Sequence, residues 1–134
     1  MKLKIFIIED EADIINLYRL VFEKNDMELE SASTGNEGLE KLKGFAEGKT
    51  SKPDMILLDL LLPDISGIKV LKEVKKIDEL KNIPIIVLSN YNKGQIPNPE
   101  KDDERELEDT DYLVKIEYTP QQLVDYIKKK INSK

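Results

Sequence analysis

Along the chain, short and nearly continuous apolar runs alternate with stretches in which apolar residues recur every three or four positions. The first run, Leu3, Ile5, Phe6, Ile7 and Ile8, is β-branched and short, the pattern of a strand buried on both faces of a parallel sheet. It stops at Glu9, Asp10 and Glu11, after which Ile14, Leu17, Tyr18 and Val21 predict a helix ending near Asn25. Met27 to Ser33 reads as a weaker strand. Thr34 and Glu37 have capping-box spacing, and Leu39, Leu42, Phe45 and Ala46 form the stripe of a second helix. After a polar loop over Gly48 to Pro53, Met55–Leu58 is another buried strand, running straight into Asp59. Pro63, Asp64, Ser66 and Gly67 supply loop chemistry, and Ile68, Leu71, Val74 and Ile77 a third helical stripe. Ile83 to Leu88 is a fourth strand closed by Ser89; Tyr112 to Val114 is a short fifth, closed by Lys115. Thr119, Pro120 and Gln122 mark a helix start whose stripe is Leu123, Val124, Ile127 and Ile131.

Between Asn90 and Asp111 the pattern fails. Gly94, Pro97, Pro99 and the acidic run Asp102, Asp103, Glu104 leave only Glu100 to Leu107 as a short helix with almost no apolar face, so an irregular and mobile fourth helix is expected there. Strand and helix otherwise alternate throughout. Parallel strands need helical crossovers of one hand, which predicts an α/β fold: a doubly wound five-stranded parallel sheet in the flavodoxin-like order 2-1-3-4-5, as one domain over residues 1–134.

Composition narrows the chemistry. The 134 residues contain no cysteine and no histidine. Thiol catalysis, thiolate metal sites and histidine proton relays are therefore excluded. Lys and Arg total 21 against 27 Asp and Glu, a formal charge of −6, which argues against general nucleic-acid binding. Arg19 and Arg105 are the only arginines, too few for a phosphate-binding arginine cluster. No signal-peptide pattern opens the chain and no apolar run is long enough for a bilayer, so a cytoplasmic protein without membrane contact is expected, monomeric or weakly dimeric.

In an open parallel sheet, ligands bind beyond the carboxyl ends of the strands, where the strand order reverses. The predicted topology puts Glu9, Asp10 and Asp59 at that reversal, with Ser89 and Lys115 at the neighbouring strand ends. Singly these are ordinary residues: acids after a strand are commonly solvated, and one serine or lysine carries no signal. Jointly, every strand end but one carries a useful polar group. Converging carboxylates repel unless a cation compensates them, and a hard divalent ion such as Mg2+ suits an all-oxygen site. Mg2+, a lysine and a hydroxyl can each hold one phosphoryl oxygen while Asp59 acts as an in-line nucleophile.

This pattern resembles the receiver domain of two-component response regulators. The matching pieces are Ile5 to Glu11, Asp54 to Gly67 with its Asp-x-x-Leu-Pro-Asp-x-x-Gly segment from Asp59, Pro84 to Ser89, and Asp111 to Lys115. The resemblance implies that Asp59 is the phosphoacceptor, that Glu9 and Asp10 hold Mg2+ together with Asp59 and the Leu61 backbone carbonyl, that Ser89 and Lys115 bind the phosphoryl group, and that Ser89 and Tyr112 form the switch. It implies a histidine kinase or phosphotransfer protein as donor and an output protein as partner. It also implies no catalysis beyond the chain's own phosphorylation and slow dephosphorylation. By the same resemblance, Leu61 and Tyr91 flank the path of the hydrolytic water, and neither holds a water readily.

The chain departs from the family at Ile116, where proline usually follows the lysine, and at Asn90, where a small residue usually follows the hydroxyl. A cis bond before Ile116 would cost about 2.5–4 kcal/mol, so a trans bond is expected. A receiver-like protein-interaction module without regulated phosphorylation is the alternative reading. A flavin-binding fold is opposed by the acidic cluster, which would repel the flavin phosphate. An aspartyl-phosphate hydrolase is opposed by Leu61, where those enzymes place a second acid.

Overall fold

The computed structural model describes residues 2–90, 105–107 and 110–132. Five parallel strands, β1 (Leu3–Ile8), β2 (Met27–Ala32), β3 (Met55–Asp59), β4 (Ile85–Ser89) and β5 (Asp111–Val114), form one sheet in the order β2-β1-β3-β4-β5. The helices are α1 (Ala12–Lys24), α2 (Gly35–Ala46), α3 (Gly67–Lys75) and a C-terminal helix (Pro120–Asn132). This is the predicted doubly wound topology.

The near-continuous apolar runs have a physical cause. Phe6, Ile8, Ile56 and Leu58 pack with Leu42, Phe45, Ile68, Leu71 and Val74 of α2 and α3. Their strand neighbours Ile5, Ile7, Met55 and Leu57 pack on the other face with Tyr18 and Phe22 of α1 and Leu123, Val124 and Ile127 of the C-terminal helix. Because successive side chains alternate faces and both faces are covered, each position must be apolar.

The starts of α2 and the C-terminal helix follow their caps. Thr34 Oγ1 accepts from Glu37 N–H at 3.0 Å, while the Glu37 carboxylate reaches one residue further back than expected, to Ser33 N–H at 2.6 Å. Thr119 and Gln122 close a full reciprocal box, with distances of 3.1 and 2.8 Å. Two details differ from the sequence reading. The buried face of α1 is Ile15, Tyr18 and Phe22, whereas Leu17 is exposed and Ile14 and Val21 are only half-buried. After α3 comes a 3-10 turn, Asp78–Leu80, that buries Leu80 completely.

Most of the expected fourth helix lies outside the described residues. Within it, residues 105–107 are helical, and Leu107 is buried on the α2 and α3 face of the sheet. Lys75 Nζ at the end of α3 donates to Glu106 at 2.9 Å and to Thr110 Oγ1 at 3.4 Å. This segment therefore has an apolar anchor and a polar one.

Candidate functional site

All five polar residues expected at the strand ends lie at the carboxyl edge of the sheet. Glu9 follows β1, Asp59 and Ser89 end β3 and β4, and Lys115 follows β5. Glu9, Asp59, Ser89 and Lys115 are buried, while Asp10 faces solvent. Glu9, Asp10 and Asp59 each offer a carboxylate oxygen, and these oxygens lie within 4.8 Å of one another.

Lys115 spans the cluster. Its ammonium donates to Glu9 Oε1 and, at 3.1 Å, to Asp59 Oδ2. The remaining oxygens meet backbone donors: Glu11 N–H donates to Glu9 Oε2 and Leu61 N–H to Asp59 Oδ1, both at 3.2 Å. Burial pushes the Asp59 carboxyl up to about 6; Lys115 pulls against it and the Glu9 charge adds to it. Burial disfavours the Lys115 ammonium, but the hydrogen bond to Glu9 and the charges of Asp59 and Glu9 outweigh it and hold its pKa above the ordinary lysine value. Lys115 therefore stays charged, and at neutral pH Asp59 is mostly ionised.

Three carboxylates against one ammonium leave two net negative charges, which one divalent cation neutralises. The donor set fits such an ion: all the ligands are hard oxygens, and exposed Asp10 keeps one side open for water or a phosphoryl oxygen.

Ser89 is fully buried and shares a side-chain hydrogen bond with Tyr112. Burial raises the Tyr112 phenol pKa; the Ser89 bond opposes this and the Asp59 charge reinforces it. The predicted switch pair is thus in contact, and Tyr112 packs at the edge of the core that holds Leu107. No cis peptide occurs among the described residues, so the Lys115–Ile116 bond is trans, as expected. A 3-10 turn over Lys115–Glu117 turns Ile116 outward, 84% exposed, while Lys115 still points into the cluster. Asn90 is exposed, and so is Leu61. Tyr91, the other residue expected along the water path, lies outside the described residues.

Two residues here were not assigned from sequence. The Tyr18 phenol on α1 senses the charges of Lys115, Glu9 and Asp59, although burial dominates its raised pKa. Asp64, read only as a turn former, accepts from Gly35 N–H and Asn36 N–H, both at 2.8 Å. Desolvation is the largest single influence and raises its carboxyl, but the backbone donors together outweigh it and hold the carboxyl below the usual range.

The chain matches the family model of the response regulator receiver domain over residues 5–128. It is 33% identical over 125 residues to the transcriptional regulatory protein ResD of Bacillus subtilis (strain 168), covering 93% of this chain and 46% of that protein. It is 34% identical over 91 residues to sporulation initiation phosphotransferase F of the same organism, covering 68% of this chain and 67% of that one. It superposes on the Mn(2+)-bound form of response regulator Rcp1 with a TM-score of 0.67 and 31% identity, covering 84% of this chain and 81% of that one. The chain therefore belongs to the response regulator receiver domain family. It spans less than half the length of ResD.

Proposed function

We propose that the chain, read as one receiver domain over residues 1–134, takes a phosphoryl group on Asp59 and passes the resulting change of state to a partner protein. The observation that carries this reading is the buried Asp59 carboxylate held by Lys115 beside Glu9, with Ser89 at the next strand end. An oxygen of Asp59 forms the new O–P bond as the N–P bond of a phosphohistidine breaks, and the histidine leaves with the bond pair. Desolvation makes the Asp59 carboxylate a stronger base than an exposed one and so a better nucleophile. Lys115 lies where it can move from the carboxylate to a phosphoryl oxygen. The Ser89 hydroxyl can bind a second oxygen, and doing so changes its bond to Tyr112.

Glu9, Asp10, Asp59 and the Leu61 carbonyl are the residues that would hold Mg2+, which supplies charge neutralisation on the phosphoryl oxygens. The metal-bound state of Rcp1 supports a divalent ion here by similarity. Family membership supports a histidine kinase or phosphotransfer protein as donor; the output partner is a separate protein or domain. The excess of acidic residues makes direct nucleic-acid contact by this domain unfavourable. No helix among the described residues is long and apolar enough to cross a membrane.

The test is intact mass after incubation with a small phosphodonor and magnesium. The parent should gain one phosphoryl group and Asp59→Ala none. Equal uptake by both would move the acceptor elsewhere. No uptake by the parent would favour the interaction-module reading.

A further inference from the structure

The loop between β3 and α3 carries the Leu61 backbone to the site. Leu61 N–H donates to Asp59 Oδ1 at 3.2 Å, and the Leu61 carbonyl belongs to the set proposed to hold magnesium. Backbone groups have no rotamers, so only the path of the loop can aim them. The Leu61 side chain does not fix that path, because it is 48% exposed. The base of the loop is closed by Gly67 N–H donating to Leu60 O at 2.9 Å. Its far side is held by Asp64, whose two oxygens take the Gly35 and Asn36 N–H groups at 2.8 Å each. Those donors belong to the first turn of α2, which has no intrahelical use for them and carries the positive end of the helix dipole. Next to this bridge the joint is tight: a Cβ on Gly35 would lie 2.3 Å from Ile65 Cγ1.

We infer that Asp64 is a positioning residue for the metal and phosphoacceptor site, acting by clamping the β3–α3 loop to the amino end of α2 and thereby aiming the Leu61 carbonyl and N–H. This rests on the proposed phosphoacceptor reading. A merely structural role for Asp64 would change stability and leave metal affinity alone, because the residue touches no group of the site. The positioning role separates the two quantities. Loss of a partner hydrogen-bonded to a metal ligand typically weakens metal affinity about 10- to 100-fold, and Asp64 acts one step further out, through the loop. Asp64→Ala should therefore fall near the low end of that range, since the other ligands remain.

The experiment is calorimetric titration with magnesium on the folded parent, Asp64→Ala and Asp64→Asn. It is paired with the magnesium concentration giving half-maximal phosphoryl uptake and with hydrogen exchange at Leu61. Asp64→Ala should bind magnesium about 10-fold more weakly, exchange Leu61 N–H faster without metal, and recover the parent's uptake rate at saturating magnesium. Asp64→Asn keeps one acceptor oxygen and should fall between the two. If Asp64→Ala fails to fold, Asp64→Asn decides, and affinity equal to the parent's overturns the inference. A parent that binds magnesium and takes up phosphoryl, alongside variants that match it, overturns this inference alone. A parent that does neither overturns the phosphoacceptor reading as well.

Discussion

Asp59 ionises in surroundings that work against it, and this gives a measurable pH dependence. Its carboxyl titrates at about 6 in the folded protein, against an ordinary value of 3.8. The folded state thus binds this proton more tightly than the unfolded chain. This group's contribution to stability is greatest below the unfolded pKa, falls as pH rises from 3.8 to about 6, and is constant above. The shift corresponds to about 3 kcal/mol at most. In the presence of a chelator, Asp59→Asn should be more stable than the parent by about 1–3 kcal/mol near neutral pH, with the gap closing toward about pH 4. Urea denaturation at the two pH values checks this; a gap that widens on acidification would show that Lys115 stabilises the Asp59 carboxylate more than burial destabilises it. A second outcome concerns Asp10. Because Asp10 faces solvent, Asp10→Asn should weaken magnesium binding in calorimetric titration while changing metal-free stability by less than about 0.5 kcal/mol. Glu9, Asp59, Ser89 and Lys115 were legible in the sequence because each interrupts or ends an apolar run, and the topology carries such breaks to one edge. Asp64 was not legible in the same way. Its partners are main-chain N–H groups nearly thirty residues away, and a backbone donor leaves no mark in a sequence.

At the level of elements, the loop after β3 has little freedom. A Cβ on Gly67 would lie 2.1 Å from the Asp59 carbonyl oxygen and 2.7 Å from Leu60 Cα, both of them backbone atoms that cannot swing aside. Gly67→Ala should therefore push α3 away from the end of β3, destabilise the protein by about 2–4 kcal/mol and reduce phosphoryl uptake. Urea denaturation and intact mass read the two effects; an alanine variant with the parent's midpoint would mean that the loop can open at no cost. The same position shows why a glycine closes the acceptor motif: the reason is contact, and φ does not enter it. Helix α1 shows where sequence reading runs short. Ile14, Ile15, Leu17, Tyr18, Leu20, Val21 and Phe22 supply apolar side chains almost all round it, so several stripes fit the spacing equally well. Packing against β2 and the C-terminal helix selects Ile15, Tyr18 and Phe22, leaving Leu17 and Leu20 outside. Phe22→Ala should then cost about 3–5 kcal/mol by urea denaturation, whereas Leu17→Gln should stay within about 0.5 kcal/mol. A large loss from Leu17→Gln would move the buried stripe back to the spacing first expected. Leu107 was missed for a related reason: one apolar residue in a charged stretch shows no periodicity, yet it is buried in the core.

Across the whole molecule, the strand order was legible because continuous apolar runs leave few arrangements other than a sheet covered on both faces, and right-handed crossovers then restrict the topology. What the pattern could not supply was the contact geometry with which the outermost strand closes the site. β5 is only four residues long, yet it delivers Lys115 into the acidic cluster and Tyr112 to Ser89. The groups of the candidate site are therefore scattered along the chain at positions 9, 59, 89 and 115, and they meet only when β1, β3, β4 and β5 are all in place. A nascent chain still lacking β5 already carries Asp59 but has no ammonium to set against its charge. Under the proposed function, phosphoryl uptake on this carboxylate thus depends on an assembled sheet, and a chain ending before β5 should take up none.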